Sequence, residues 1–357
     1  MELSELLSLG INHQASDLHL SSGLPPLLRI NGELRKVNLP VLAAAQVKDL
    51  VYQVMNAKNA KLFAEQLEVD FAFELPSGAR FRANVFMQAR GIAAVFRNIP
   101  GTICSLEQLQ APSILREIAT YPQGMVLVSG ATGSGKSTTL AAVVDFINET
   151  AAQHILTIED PIEFVHSSKQ SLINQRELSS HTLSFATALK SALREDPDCI
   201  LVGELRDLET IRMALTAAET GHLLLGTLHT ATAATTIDRI IDVFPAAEKE
   251  MVRVMLSESL RAVISQRLLK KKDGSGRIAL YEVMIVTPAI KNLIRENKIA
   301  QITSAMQTGQ QYGMQTMDQA LVRAVKQGAI AAATAAIHAQ NKELFPAPAP
   351  ASRWTEY

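Results

Sequence analysis

The sequence predicts an α/β protein in which a nucleotide-binding domain with a parallel sheet follows a smaller α+β domain. The apolar run 125–128 leads into a glycine-rich loop and then into a segment of helical periodicity, which is the strand–loop–helix order of a P-loop. Apolar runs at 154–158, 199–202 and 223–227 end next to acidic residues or histidine, as strands beside a ligand crevice do. Before them, the runs 69–75, 79–88 and 91–98 indicate an antiparallel meander.

The glycine-rich loop is the most specific motif in the chain. Gly130, Gly135, Lys136 and Ser137 fit the pattern G-x-x-x-x-G-K-[ST]. Such a loop directs backbone N–H groups at phosphate oxygens beside a helix N-terminus. Lys136 is expected to reach the β- and γ-phosphates of ATP, and the Ser137 hydroxyl to coordinate Mg²⁺. The residues predicted to bind the nucleotide are Gly130, Thr132, Gly133, Ser134, Gly135, Lys136, Ser137 and Thr138.

Length and composition limit the class of protein. A chain of 357 residues can form two domains with separate cores. The net charge of −1 provides no basic field for nucleic acid or an anionic membrane. No secretory signal and no apolar stretch of roughly 18 residues is found, so we expect a cytoplasmic protein without direct membrane insertion. Cys104 and Cys199 lie far apart, so no zinc site is expected.

The order of patterns predicts how the chain is divided. We expect an N-terminal α+β domain over 1–98, a linker over 99–112 and an ATPase core over 113–270. Within the first domain, 27–37 is predicted to form a hairpin that turns at Asn31-Gly32, and 43–67 to form a helix. A helical part is expected over 271–345, and the proline-rich tail 346–357 is expected to be disordered.

Ionisable residues follow three of the predicted parallel strands. Glu204 comes after Gly203 at the end of a Walker B-like strand, and it is the candidate to orient and polarise the attacking water. Glu159 or Glu163 is the candidate to hold Mg²⁺ through water, and His229 to sense the γ-phosphate. A glutamate after a strand is commonly a helix cap, and a histidine is commonly a buried structural residue. Three carboxylates at strand ends of a P-loop domain favour the functional interpretation.

Three arginines lie in the predicted meander. Arg80 and Arg82 alternate with Phe81, so the two arginines are predicted to share one face of a strand while Phe81 faces the core. Arg97 lies on the next strand. Composition alone favours a solvated face for all three.

Several motifs match one family together. They are the P-loop, T-I-E-D-P-I-E at 157–163, I-L-V-G-E at 200–204 and the histidine-containing segments at 218–222 and 226–230. With 15–20 and A-I-K-N-L-I-R-E at 289–296, they cover nearly the whole chain. The sequence resembles the secretion-type AAA-like ATPases of type IV pilus and type II secretion systems, and within them the pilus-retraction subgroup.

The resemblance implies a PAS-like N-terminal domain, a RecA-like ATPase core and a homohexamer with ATP at the junction between protomers. It implies that Arg80, Arg82 and Arg97 reach the nucleotide and stabilise charge on the transferring phosphoryl group. Partners would be an inner-membrane pilus platform protein and related pilus ATPases, with the ring peripheral to the inner membrane at the pilus base. The expected activity is Mg²⁺-dependent ATP hydrolysis that drives pilus retraction and twitching motility. The motif at 289–296 would serve retraction rather than hydrolysis.

The sequence departs from the family pattern at two positions and leaves alternatives open. Ala131 stands where relatives commonly have proline, and Lys291 where the retraction motif commonly has arginine. A tetracysteine insertion of extension ATPases is absent, which favours the retraction subgroup.

The alternative functions are an accessory retraction paralogue, a pilus extension or type II secretion ATPase, a RecA-like nucleic-acid motor, and a nucleotide-gated scaffold that does not hydrolyse ATP.

Overall fold

The structure, a computed structural model, describes residues 2–30, 32–99 and 101–345. The chain forms two compact units. The first comprises the residues up to Thr102 together with Pro161–Val165, and the second comprises the rest of the described chain. The tail 346–357 lies outside the described residues, so its predicted disorder stays a prediction.

The first unit is an α+β arrangement of one antiparallel sheet and three helices. Its elements are α1 (Leu3–Asn12), β1 (Asp17–Ser21), β2 (Leu27–Ile30), β3 (Glu33–Lys36), α2 (Ala44–Tyr52), α3 (Ala57–Gln66), β4 (Glu68–Glu74), β5 (Arg80–Gln88) and β6 (Gly91–Ile99). The strands pair in the order β3-β2-β1-β6-β5-β4, and every pairing is antiparallel. Leu18, Phe81 and Phe96 are almost completely buried on one face, because alternate residues of a strand point to the same side.

The predicted meander is confirmed by β4, β5 and β6, and the hairpin by β2 and β3, although Asn31 of its turn lies outside the described residues. The single helix predicted over 43–67 is wrong, since α2 and α3 are separate helices. The cause is Asn56, whose side chain accepts a hydrogen bond from the backbone N of Asn59 at 2.9 Å. Asparagine at this N-cap position stabilises a new helix start.

The second unit is an α/β sandwich around a mostly parallel sheet. Its first elements are α4 (Ile114–Ala119), β7 (Gly124–Ser129), α5 (Lys136–Thr150), β8 (His154–Glu159), β9 (Leu172–Glu177), α6 (Phe185–Ala192), β10 (Cys199–Val202), α7 (Leu208–Glu219), β11 (Leu223–Leu228) and α8 (Ala233–Asp242). Then follow α9 (Lys249–Ser259), β12 (Leu260–Lys270), β13 (Arg277–Ile285), α10 (Pro288–Arg295), α11 (Ile302–Thr308), α12 (Met317–Lys326) and α13 (Ala332–His338).

The strands of this sheet pair in the order β13-β12-β7-β11-β10-β8-β9. All pairings are parallel except that of β13 with β12, which is antiparallel. Every residue of β7, β10 and β11 is buried, because helices cover both faces of a parallel sheet and leave no solvated side. The carboxyl ends of β7, β11, β10 and β8 therefore meet at one edge, where a ligand crevice is expected.

The helical part predicted over 271–345 is wrong in its first segment. Residues 277–285 form β13, which pairs with β12 along its whole length. The boundary predicted between the ATPase core and the helical part, at residues 270 and 271, therefore falls within one hairpin. Farther on, the predicted helix at 289–296 corresponds to α10, in which Ile290 and Ile294 are completely buried. A charged side chain at position 294 would therefore be buried in the core and would destabilise the fold.

Candidate nucleotide-binding site

The phosphate-binding loop is held open by glycine and backed by a neighbouring strand. It connects the end of β7 to the start of α5 and includes Gly130 at φ +149° and Gly135 at φ +90°. A Cβ added at Gly130 would lie 2.5 Å from the backbone O of Gln266, and one at Gly135 would lie 2.8 Å from Gln266 Nε2. Gly130 therefore needs glycine for conformational and for steric reasons, and Gly135 needs it for its conformation.

Two polar side chains of the loop, those of Lys136 and Ser134, are buried within it. The Lys136 ammonium donates to the backbone O atoms of Gly130 and Ala131 at 2.8 and 3.1 Å, so it lies within the loop. The buried Ser134 Oγ has no hydrogen-bond partner among the described residues. A buried hydroxyl without a partner costs stability unless a ligand satisfies it. The other predicted loop residues, Thr132, Gly133, Ser137 and Thr138, are exposed or half-buried.

Glu204 and His229, predicted from separate strand ends, come together beside the loop. His229 Nε2 lies 3.3 Å from Glu204 Oε1, and His229 Nδ1 lies 3.5 Å from Thr132 Oγ1. They meet because β10 and β11 are adjacent and both end at the edge where the P-loop begins. The histidine thus bridges the carboxylate and the loop.

Glu204 is held in its charged form. Partial burial raises its pKa, but a hydrogen bond from Arg206 and the nearby His229 outweigh that effect, so the pKa lies below the ordinary value. Arg206 is the ion-pair partner of Glu204. The carboxylate is therefore ionised at neutral pH, as a group that accepts a proton from water must be.

Glu159 lies at the end of β8, next to the Walker B strand. Its Oε1 accepts hydrogen bonds from Thr157 Oγ1 at 2.7 Å and from Gln175 Nε2 at 3.3 Å. A Cβ at Gly203 would lie 3.2 Å from the Glu159 Cα. Glycine at 203 thus permits the close approach of the two strand ends. Glu163 is exposed and belongs to Pro161–Val165, which is part of the first unit.

The predicted arginines lie on the antiparallel sheet of the first unit. Arg82 and Arg97 are directly opposite each other on β5 and β6, and Arg80 is two residues from Arg82 on the same face. Arg82 pairs with Asp70 at 2.5 Å, and Arg97 Nε with Asp17 Oδ1 at 2.9 Å. Like charges opposite each other destabilise a sheet, and the two carboxylates offset this repulsion.

The sequence interpretation missed a group of uncharged polar residues behind the loop. Gln266 and Ser265 lie on β12, Thr139 on α5 and Tyr281 on β13, and all are buried. Ser129 is the last residue of β7, and its Oγ lies 2.7 Å from Ser265 Oγ. The available signal was the Ser-Gln pair that directly follows the apolar run 262–264.

A magnesium ion fits this site if phosphate supplies part of its coordination. No group of three or more His, Cys, Asp or Glu residues is placed to hold a metal within the described ranges. Mg²⁺ commonly takes only one or two protein ligands and completes its shell with water and phosphate oxygens. Ser137 and Glu159 are therefore sufficient candidates.

Within the described residues, no helix is both long and apolar enough to cross a bilayer.

The parallel sheet, the loop around Lys136 and the carboxylates at neighbouring strand ends define a P-loop ATPase with a RecA-like core, preceded by a small α+β domain. This confirms the predicted fold class. The family model "Type II/IV secretion system protein" matches residues 2–337. The chain therefore belongs to the type II/IV secretion system protein family.

Similar proteins extend over most of the chain. A twitching motility protein of Neisseria gonorrhoeae is 65% identical over 318 residues, which is 89% of this chain and 85% of that protein. The type IV pilus retraction ATPase PilT of Pseudomonas aeruginosa is 59% identical over 345 residues, which is 97% of this chain and 100% of that protein. The crystal structure of a pilus retraction motor PilT with bound ADP has a TM-score of 0.89 at 47% identity, covering 96% of this chain and 98% of that chain.

Proposed function

We propose that this protein is an ATP-hydrolysing motor that powers retraction of type IV pili and twitching motility. The observation that carries the proposal is the meeting of Glu204, His229 and Thr132 at the P-loop. The proposal is supported by the likeness to pilus retraction ATPases, which extends over nearly the whole chain.

The loop binds ATP and the strand ends carry out the chemistry. Backbone N–H groups and Lys136 hold the β- and γ-phosphates. Glu204 orients a water molecule and accepts its proton as the water oxygen bonds to the γ-phosphorus and the bond to ADP breaks. His229 holds the Glu204 carboxylate on one side and contacts the loop on the other, so it is placed to respond to the γ-phosphate.

Mg²⁺ would be held by the Ser137 hydroxyl, with Glu159 or Glu163 acting through water. The ion, when bound, neutralises charge on the phosphate oxygens. The two hydrogen bonds to Glu159 from Thr157 and Gln175 fix the orientation of its carboxylate. Glu159 is the better supported of the two carboxylates because it lies beside Gly203 of the Walker B strand.

We propose that the first unit is a PAS-like domain that supplies charge to the reaction. Arg80, Arg82 and Arg97 share one sheet face, and they would reach ATP at a junction between protomers of a homohexamer. Closure of the ring would bring guanidinium groups to the phosphates, so that hydrolysis and domain movement form one coupled step.

We further propose that the ring acts on an inner-membrane pilus platform protein, with related pilus ATPases as additional partners. It would lie in the cytoplasm, peripheral to the inner membrane at the pilus base. The segment 289–296 would serve retraction. The outward face of α10 carries Lys291 and Arg295, which both pair with Glu258.

The biochemical part of the proposal is tested by phosphate release against oligomer size in solution, with and without Mg²⁺. We expect hydrolysis only with Mg²⁺ and only in fractions of hexamer size. A purified protein that stays monomeric with ATP and releases no phosphate would contradict the motor. Hydrolysis stimulated by DNA would instead support a nucleic-acid motor.

The cellular part is tested in a strain that lacks this chain. Persistent hyperpiliation without twitching supports a retraction motor. Cells without pili would support an extension motor. Normal retraction with reduced force would support an accessory paralogue.

A further inference from the structure

We infer that Gln266 is a positioning residue for the phosphate-binding loop. It holds the loop in the shape that accepts the nucleotide, without touching the reacting atoms. The inference rests on the proposed ATPase function, and it concerns how the loop keeps its affinity.

The side-chain amide of Gln266 connects the two parts of the motif. Its Nε2 donates to the backbone O of Ser134 at 2.8 Å, and its Oε1 accepts from Thr139 Oγ1 at 2.8 Å. Ser134 lies within the loop and Thr139 in the first turn of α5. One amide therefore fixes the position of the loop relative to the helix that follows it.

Gln266 also lies close to two glycines of the loop, Gly130 and Gly135. A Cβ at Gly130 would lie 2.5 Å from the Gln266 backbone O, and a Cβ at Gly135 would lie 2.8 Å from Gln266 Nε2. Both distances place Gln266 directly against the loop. The loop is thus packed against one residue at both of its ends.

An uncharged amide suits this position. Gln266 is only 3% exposed, and both of its polar side-chain atoms are hydrogen-bonded. A lysine or arginine here would bury a charge behind the loop and could not accept from Thr139, whereas a carboxylate would bury a charge and could not donate to the Ser134 carbonyl. Glutamine supplies one donor and one acceptor without charge.

The experiment compares four purified full-length variants with wild type. Gln266→Leu removes both side-chain hydrogen bonds, whereas Gln266→Glu replaces the donor to Ser134 by an oxygen and adds a buried acidic group behind the loop. Thr139→Val removes the donor to Gln266 at nearly constant shape. Gln315→Leu is the matched control, because Gln315 is also a buried amide, bonded to the Tyr281 backbone O at 2.7 Å and not to the loop.

Fluorescent ADP binding, the KM and kcat of ATP hydrolysis, and the unfolding midpoint without nucleotide are measured for each. We expect Gln266→Leu to lose about tenfold in ADP affinity and to raise KM similarly, as two hydrogen bonds predict, while kcat at saturation stays within about threefold. Gln315→Leu should lower the midpoint comparably and keep its ADP affinity. Thr139→Val removes one of the two hydrogen bonds, so it should lose part of the affinity.

Wild-type ADP affinity in Gln266→Leu, or an equal loss in Gln315→Leu, would overturn the inference. If Gln266→Leu does not fold, the ADP affinities of Thr139→Val and Gln266→Glu test the inference instead. Wild-type ADP affinity in both variants would overturn it. A wild-type protein that binds ADP and releases phosphate, with variants that match it, would contradict only this inference. A wild-type protein that does neither would overturn the proposed function as well.

Discussion

The two flanks of β7 differ in chemical character. On one flank, β11, β10 and β8 end near His229, Glu204 and Glu159, which are ionisable and partly accessible. On the other flank, β12 and β13 contribute Gln266 and Tyr281, which are uncharged and buried. Burying a neutral, hydrogen-bonded group costs far less than burying a charge. We therefore expect one flank to carry the chemistry and the other to keep the loop in place.

The largest expected effect comes from the ionisable flank. Glu204→Gln keeps the size of the side chain but cannot accept a proton from water, so kcat should fall by about 10²- to 10⁴-fold. Binding of ATP should be retained, because phosphate affinity belongs to the loop. Phosphate release and nucleotide binding measured on the same sample separate the two quantities.

Glu195→Gln is a matched control for Glu204→Gln. Glu195 pairs with Arg176 at 3.0 Å and is similarly shielded, but it does not lie at a strand end of the crevice. It should hydrolyse ATP like the wild type. Full turnover in Glu204→Gln would show that the chemistry does not depend on this flank.

The two flanks also differ in how well the sequence predicts them. Glycines, Lys136 and the carboxylates follow their strands directly in the chain, so local patterns are sufficient to locate them. Gln266 lies about 130 residues beyond the loop that it supports, and its role exists only because β12 pairs with β7. A neutral amide gives no charge signal. The fold of the second unit could therefore be predicted from the sequence. Of its site, the loop and the ionisable residues could be predicted, but the supporting residue Gln266 on β12 could not.

The first unit shows the same limit. Alternation predicted that Arg80 and Arg82 share a face, and β5 confirms it. That Arg97 lies directly opposite Arg82 depends on the register between β5 and β6, which no local pattern determines. The division of 43–67 into two helices, in contrast, had a local signal in Asn56.

The second prediction concerns the source of the charge that acts on phosphate, which could be the flank of β8, β10 and β11 alone or also the first unit. If arginines of the first unit complete the site in a ring, Arg82→Ala and Arg97→Ala should each lower kcat by roughly 10- to 1,000-fold. ADP affinity should change much less. Steady-state hydrolysis by fractions of hexamer size is the measurement.

Arg29→Ala is the control for the arginine variants. Arg29 contacts the same Asp17 carboxylate as Arg97, at 3.9 Å, and lies in the same row of the sheet. If Arg29→Ala lowers kcat as much as Arg97→Ala, the effect is one of sheet stability rather than of charge at the phosphates. In that case only the second unit would carry charge chemistry.

A third prediction extends the comparison to a buried ionisable group away from the crevice. Burial lowers the pKa of His166 from 6.5 to about 4, so the folded protein keeps this side chain neutral. Between these values the unfolded chain binds a proton that the folded chain does not, so stability rises with pH and is lost as pH falls from 6.5 toward 4. The loss between pH 7 and pH 5 should be about 2 kcal/mol.

Denaturant titrations of wild type and His166→Gln at the two pH values measure this effect. The variant cannot titrate, so it should lose about 2 kcal/mol less than the wild type on acidification. His13→Gln, at an exposed histidine, should follow the wild type. Parallel losses in wild type and His166→Gln would mean that His166 is accessible to protons in the folded state.

The smallest expected effect lies on the surface of α10. Glu258 is exposed and pairs with Lys291 Nζ at 2.8 Å and Arg295 Nη2 at 2.7 Å, and both cations lower its pKa. Surface pairs of this kind contribute little because water screens them. Glu258→Gln should therefore leave the unfolding midpoint and phosphate release unchanged. Removal of Lys291 and Arg295 together should do the same in the purified protein but impair retraction in cells, because only their outward surface would be lost. Impaired hydrolysis in the purified double variant would place α10 among the supports of the ATPase site, and the division between the flanks of β7 would then not describe the whole unit.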